Sequence, residues 1–562
     1  MQTGLAMQRY RWEAAWRDVV MLAMPMASHL FDSAYYGSTV GSLTAIGQGP
    51  NSERRSREIF DDTAVWALSR LAAGMTSLVV PKAQKWHNLQ LADPFMPRPT
   101  HEEAEWLDAV RDYLFAVRYS PKAQFDQSIR KAIKAVCGLG TGILFNEENV
   151  NRRGMDPALV PFFYREVPVV QCYLGIDAYD SVDRCLRTTT MTARAAARYF
   201  GADKISAKVK EYAEDGKKSE QEFSFLHAVM PREEADEYSS RTNMPWASFW
   251  MEIETRHLVN ASGYFEMPYH VMYWDQTSGS PYGESPIMGA LSEIKLLQHI
   301  KKSTLQAAQQ LVKPPLALAE GIYNSRINLN SGAINPGLVD GQGNLKVRPI
   351  TTVSNPSFAE RLIEAQRGVI RQHAYVDLFQ SLTEDPRKTA TQVLIENQEK
   401  GEVLGPAGSA VEAGVASAVD REVSILSRKR AFEEGSPLEA PPSMDGRETG
   451  VGFVGPLAQL RKTQELSGVQ SVLQMAGFLA QYDQSVLAKI DTDATLEIAH
   501  EVSGAPRRMF RSPDEIEQIR DEAAAAAERQ AAMQATQMAA DAAGKGAGAV
   551  KSLAEVGEMQ NA

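Results

Sequence analysis

A chain of 562 residues has room for several domains. Apolar residues make up 44% and charged residues 23%, which excludes a disordered or fibrous chain. The formal net charge of −11 argues against a binder that relies on general phosphate attraction, though not against a protein that touches DNA without holding it.

Residues 8–30 read as an amphipathic helix, with Tyr10, Trp12, Trp16, Val19, Val20 and Leu22 interleaved with Arg9, Arg11, Arg17 and Asp18. Within 51–80, Arg54, Arg55 and Arg57 precede a helix with Ile59, Ala64, Trp66, Ala67, Leu71 and Met75 as its buried stripe. That arginine run suits a solvated helix start or a subunit contact, with phosphate as the alternative. A Pro-rich linker (93–99) leads to helices over 101–137, divided at Pro121. Gly138, Gly140 and Gly142 lack the spacing of a phosphate loop and read as tight turning beside a strand. Strands are expected through 138–190 and 243–275, with a helical stretch at 192–214 between them.

The stretch 282–313 is the longest clean helix pattern, about seven turns. Ile287, Leu291, Ile294, Leu297, Leu305, Ala308 and Val312 form its apolar stripe, and Lys295, His299, Lys301, Lys302 and Gln309 lie opposite. Lys313-Pro314-Pro315 ends it. A compact Gly-, Asn- and Pro-rich excursion follows, with short strands expected near Leu316–Leu318 and Leu345–Val347. A second helix is expected over 357–380, so two struts flank a small module. A third runs from about Thr389 to Phe432, with interruptions expected at Gly401 and Gly405-Pro406. After a linker at 434–442 the chain is helical over about 455–530, becoming Ala-, Gln- and Met-rich from Ala523.

No catalytic signature emerges. His101-Glu102-Glu103 is not HExxH, and neither a GxSxG elbow, a Walker loop nor metal-ligand spacing occurs. Cys137, Cys172 and Cys185 have no CxxC spacing, so buried inert thiols are expected, in keeping with a reducing cytoplasm. Neither a secretory signal nor a membrane span is expected, since no apolar run approaches about 18 residues. These absences point to a structural assembly protein with no catalytic, metal or cofactor residues.

Four stretches carry a family resemblance: IFDDTAVWALSRLAAGMTSLVVP at 59–81, SPYGESPIMGALSEIKLLQHIKKSTLQAAQQLVKPPL at 280–316, SLTEDPRKTATQVLIENQEKGEVLGP at 381–406, and VGPLAQLRKTQELSGVQSVLQMAGFLAQYDQSVLAKID at 454–491. In these the chain resembles the portal (head-to-tail connector) proteins of short-tailed, podovirus-type bacteriophages. The resemblance implies a mixed α+β, predominantly helical portal fold with wing, stem helices, α/β clip and helical crown, assembled as a ring. It implies a wing at 1–280, a first stem helix at 281–313, a clip at 314–355 and a second stem helix at 356–380. A tunnel loop at 381–388, a long wing helix at 389–432 and a crown at 433–522 would follow. Residues 523–562 would form a helical barrel or a mobile tail.

The implied function is a ring of twelve subunits at one capsid vertex, through which double-stranded DNA is packaged and ejected. Its implied partners are further copies of itself, DNA, terminase, the tail adaptor, and capsid and scaffolding proteins; it would also nucleate procapsid assembly. It would reside in the virion after assembly in the host bacterial cytoplasm. Twelve subunits of −11 carry roughly −132 formal charges (12 × −11), which disfavours DNA sticking to the channel. Channel contacts are expected from Lys295, Lys301, Lys302, Arg387 and Lys388. A solvated or salt-bridging face is the alternative for the stem lysines, and a helix-start surface for the other two. Docking residues of the clip are expected among Tyr323, Arg326, Asn328, Asn330, Lys346 and Arg348. Stem packing is assigned to Ile287, Leu291, Ile294, Leu297, Leu305 and Val312. A tail adaptor or scaffold, or a DNA-processing motor subunit, remain the competing readings.

Overall fold

The computed structural model describes residues 2–31, 59–92, 99–150, 155–232, 243–318, 327–328, 333–350, 356–380, 390–479, 490–491, 495–496, 515–516 and 518–536. Arg54, Arg55 and Arg57 lie outside the described residues.

The hub sets helices against a small sheet. Helices α1 (Gln2–Ala23), α2 (Thr63–Val79), α3 (His101–Arg118) and α4 (Phe125–Leu139) come first. In α4, Phe125, Ile129, Ile133 and Val136 recur every three or four residues, form one face, and are all buried. Burying each such side chain contributes roughly 1.5–3 kcal/mol. α3 begins with a capping box: Thr100 accepts from Glu103 N at 3.3 Å, and the Glu103 carboxylate accepts from Thr100 N at 2.8 Å. α4 ends at Gly140, whose left-handed φ of 76° suits glycine alone, and any side chain there would run into the Gly283 carbonyl. The glycine triplet is therefore a helix stop leading into the strand that begins at Thr141.

β2 (Thr141–Glu148) is the centre of an antiparallel sheet between β3 (Phe162–Val167) and β9 (Tyr269–Tyr273). A five-stranded antiparallel meander lies beside it, in the order β4 (Cys172–Ile176), β5 (Val182–Thr192), β6 (Glu222–Pro231), β7 (Trp246–Glu252), β8 (Leu258–Tyr264). Two short helices, α5 (Ala193–Phe200) and α6 (Ala207–Glu214), are capped by Thr192 and Ser206. They enclose a separate small core with Phe200, Val209, Phe225 and Trp250.

After a short antiparallel pair, β10 (Asp275–Gln276) with β11 (Gly283–Glu284), the strut region holds a single turn, α7 (Pro286–Gly289), then α8 (Leu291–Val312), α9 (Pro356–His373) and α10 (Val376–Gln380). Beyond them runs α11 (Ala390–Arg428), 39 residues long. The interruptions expected at Gly401 and Gly405-Pro406 are absent: the helix runs through Pro406. Tertiary packing overrides the missing N–H. Leu404, Val411 and Val415 are buried there, and Gly414 lets the helix approach β9, where a Cβ would come within 2.6 Å of Val271 O. Ion pairs with at least one buried partner hold its C-terminal half. Arg118 meets Glu422 at 2.5 Å with both fully buried, Tyr164 donates to the same carboxylate, and Arg421 meets Glu266 at 2.7 Å.

The segment expected to be helical crown is also part strand. β14 (Thr449–Phe453) pairs antiparallel with β1 (His87–Leu91) before α12 (Pro456–Leu479) begins. The alternating TGVGF segment meets an otherwise open strand edge, which favours pairing over another helical turn. Residues 518–536 are helical and exposed on nearly every side. All three cysteines are buried free thiols, and burial pushes Cys137 and Cys185 upward. Among the described residues, no helix is long and apolar enough to cross a membrane.

Candidate strut and docking module

The first strut is rooted by local chemistry. Ser285 caps α7: its hydroxyl accepts from Met288 N at 3.0 Å and donates to Gly138 O at 2.8 Å, and Pro286 occupies the first turn. The helix expected to run unbroken from 282 to 313 bends out of helical geometry at Ala290. Ile287, Ile294 and Leu297 are buried in the hub core and Leu291 is half-buried. Farther along, the stripe changes character: Leu305 is 49% and Val312 80% exposed, and Ala308 is exposed too. A stripe assigned to packing along its whole length is thus packed within this chain only over its first half.

A polar knot marks that division. The Gln298 side-chain oxygen accepts from Phe60 N at 2.7 Å and Asp61 N at 3.0 Å, and its amide donates to Asp61 O at 2.7 Å. The Asp61 carboxylate accepts from Thr63 N at 3.0 Å and from Arg367 of α9 at 3.0 and 2.7 Å. Burial alone would raise the pKa of Asp61, but the hydrogen bonds from Thr63 and Arg367 outweigh it and hold the carboxyl below its usual range. Both struts are thereby fastened to the start of α2. Sequence reading missed the knot, since Asp61 lies 237 residues from Gln298 and 306 from Arg367. The one available signal was a glutamine next to Leu297 in the apolar stripe.

The second strut was also expected as one helix. It divides at Tyr375, whose φ of 52° is left-handed and whose ring stacks on Trp274 at 5.9 Å. Phe379 of α10 then packs against Gly74 of α2, where no side chain would fit.

The expected channel lysines differ in their surroundings. Lys295 Nζ lies 2.6 Å from the Asp18 carboxylate, an exposed pair within the same chain. Lys302 sits over the Phe60 ring at 5.8 Å, and Lys301 is half-buried. Arg387 and Lys388 lie outside the described residues, as does all of 381–388.

The excursion closes as a two-stranded ribbon, β12 (Leu316–Leu318) with β13 (Val347–Pro349), in register Leu316↔Pro349. The second strand lies two residues beyond its expected start at Leu345. Asn335 clasps the backbone of Asn328, accepting from its N–H at 2.8 Å and donating to its carbonyl at 2.7 Å. The Asp340 carboxylate accepts from Gln342 N and Asn344 N, folding the turn between the strands and holding its own pKa down. Lys346 is half-buried and Arg348 exposed. Tyr323, Arg326 and Asn330 lie outside the described residues. Large apolar side chains are left open around this ribbon: Ile334 is 91% exposed, and Leu345, Ile350 and Phe358 are exposed as well. Among the described residues no group of three or more carboxylate, histidine or cysteine ligands is placed to hold a metal.

Phage proteins stand among the known relatives of this chain. The chain is 27% identical over 526 residues to the portal protein of Salmonella phage epsilon15, covering 91% of this chain and 90% of that one. It is 25% identical over 542 residues to a probable portal protein of Bordetella phage BPP-1, covering 94% and 91%. A solved gene transfer agent virion chain aligns at 12% identity with a TM-score of 0.32, covering 72% of this chain and 100% of that one. The profile of the family described as bacteriophage head to tail connecting protein matches residues 2–510, and the chain belongs to that family.

Proposed function

We propose that this protein is a phage portal: a ring at one capsid vertex through which double-stranded DNA enters during packaging and leaves on ejection. The family match over residues 2–510 carries this reading, with two relatives named as portals that align over nine-tenths of the chain. The pattern of exposure supports a ring. The outer half of α8 and the ribbon beyond it leave Leu305, Leu311, Val312, Ile334, Leu345 and Ile350 exposed, and neighbouring copies would cover them. Twelve copies is the number proposed.

In this reading α8 and α9 are the stem, the β12–β13 ribbon is the clip, and α11 is the long wing helix. The clip, through Asn328, Lys346, Arg348 and the residues beside them, would dock the tail adaptor and the terminase. The wing and crown would meet capsid and scaffolding proteins and help to nucleate the procapsid. Residues 381–388, with Arg387 and Lys388, would face the channel. The role is structural rather than catalytic, with no cofactor. With Lys295 engaged by Asp18, Lys301 and Lys302 are the stem lysines left to meet passing DNA. Negative-stain imaging of the purified chain tests the proposal, since a portal gives rings with a central hole. ATP hydrolysis by the chain alone would favour a motor subunit instead.

A further inference from the structure

The outer side of α4 is cationic in a chain that is acidic overall. The inner side of this helix packs on β2, β3 and α2, which leaves one side to solvent. That side carries Gln127, Arg130, Lys131 and Lys134 at three-or-four spacing, with the exposed Lys122 just before the helix. Lys82, in the turn after α2, joins them. The Asp126 carboxylate meets Arg130 at 3.0 Å and Lys82 at 3.7 Å, and both cations remain 59% exposed.

Few carboxylates offset these charges. Five cations stand around Asp126, and Glu166 of β3 is near enough to Lys131 to feel its charge, which leaves +3 (5 − 2). Among the described residues no carboxylate forms an ion pair with Lys122, Lys131 or Lys134. The lysines beside α6 differ: Lys208 pairs with Glu254 at 2.9 Å and Lys218 with Asp215 at 3.5 Å. Against a formal charge of −11 for the whole chain, the α4 face is a local reversal of sign. It also lacks the apolar centre of a stable protein interface, since no large apolar side chain of α4 or of the 81–86 turn is exposed. Long basic side chains without apolar or aromatic company suit a phosphate backbone and do not read bases.

We propose that this face is a second DNA-contacting surface, separate from the stem and the 381–388 loop. Lys122, Arg130, Lys131 and Lys134 meet the backbone of duplex DNA there without regard to sequence. Duplex DNA as the polyanion rests on the portal reading; the cationic face itself does not. The contact is weak and salt-sensitive, because the rest of the chain repels DNA.

The test is fluorescence anisotropy of a labelled mixed-sequence duplex with the full chain, at salt between 50 and 200 mM. The unaltered protein should bind with a log–log salt slope of about −3 to −4, as four neutralised phosphates require. The triple variant Arg130→Glu, Lys131→Glu, Lys134→Glu should bind about thirtyfold or more weakly, with its slope flattened toward zero. Lys204→Glu, Lys210→Glu, Lys217→Glu makes the same change in net charge at exposed positions elsewhere, and should stay within about threefold of the unaltered chain. The milder pair Arg130→Gln, Lys134→Gln should fall between. Equal binding by the two triple variants would overturn the proposal, as would no binding by the unaltered chain at the lower salt. Tighter binding of polyglutamate than of duplex would assign the face to an acidic protein and overturn it too. Negative-stain imaging of the same samples separates the two readings. Rings whose binding survives the α4 triple variant sink this proposal alone, and binding lost by that variant in a chain that forms no rings upholds it against the portal reading.

Discussion

Replacing Gln298 by Leu isolates the knot that fixes both struts. The substitution keeps an apolar side chain in the helix but removes one acceptor and one donor that together serve three backbone groups of Phe60 and Asp61. Asp61 and Gln298 are both buried, so water does not readily replace what is lost. Each stranded group costs about 1–3 kcal/mol, and the added apolar contact offsets part of that, leaving a net loss of about 2–4 kcal/mol. Because the effect is local, the assay is hydrogen exchange at the amides of residues 60 and 61. Every 1.4 kcal/mol is tenfold, so exchange there should accelerate by about thirty-fold or more, while amides of the β5–β6 pair stay unchanged. Gln309→Leu, on the exposed face of the same helix, is the control and should leave those amides alone. Unaltered exchange at 60 and 61 in Gln298→Leu would refute the idea that the knot fastens the strut.

Arg118→Met should destabilise by about 3–5 kcal/mol in denaturant unfolding, because it strands the fully buried Glu422; Arg118→Met combined with Glu422→Leu should recover most of that. His270 is pushed down to about 3 by burial, with Arg421 adding to the effect, and its Nε2 has no hydrogen-bond partner. The native state thus holds a neutral ring whose stabilising effect is complete above the unfolded value near 6.5 and is lost as pH falls toward 3. A loss of about 2 kcal/mol by pH 5 is expected in thermal unfolding, and His270→Gln should flatten that slope. Arg430 takes a left-handed φ of 60° just past α11, with Ala431 N donating back to Leu426 O, so Arg430→Gly should stabilise by up to about 1 kcal/mol.

What was legible in the residues was local. The helices over 101–137 with their division at Pro121, and the strut–excursion–strut order, follow from three-or-four spacing and breakers within one segment. The bends at Ala290 and Tyr375 were not legible, because neither residue is a breaker and both are held by contacts from elsewhere, such as Trp274 on Tyr375. Continuity through Pro406 was misjudged for the converse reason: a local breaker was overruled by burial of Leu404 and Val411 on either side. The split of the α8 stripe between Leu297 and Leu305 could not be read either, since spacing says which residues share a face but not how far a neighbour extends along it. A salt-bridging role for Lys295 could be read as an alternative, but not its partner, since Asp18 lies 277 residues earlier.

A direct image of the assembled particle weighs most on the functional reading. Single-particle reconstruction of the purified full-length chain should give closed rings of about twelve subunits around an open channel, with the outer half of α8 and the β12–β13 ribbon covered by the next subunit. Particles that remain monomeric at every concentration and also in the presence of capsid and scaffolding proteins, or rings in which Leu305, Val312 and Ile334 stay exposed, would contradict it.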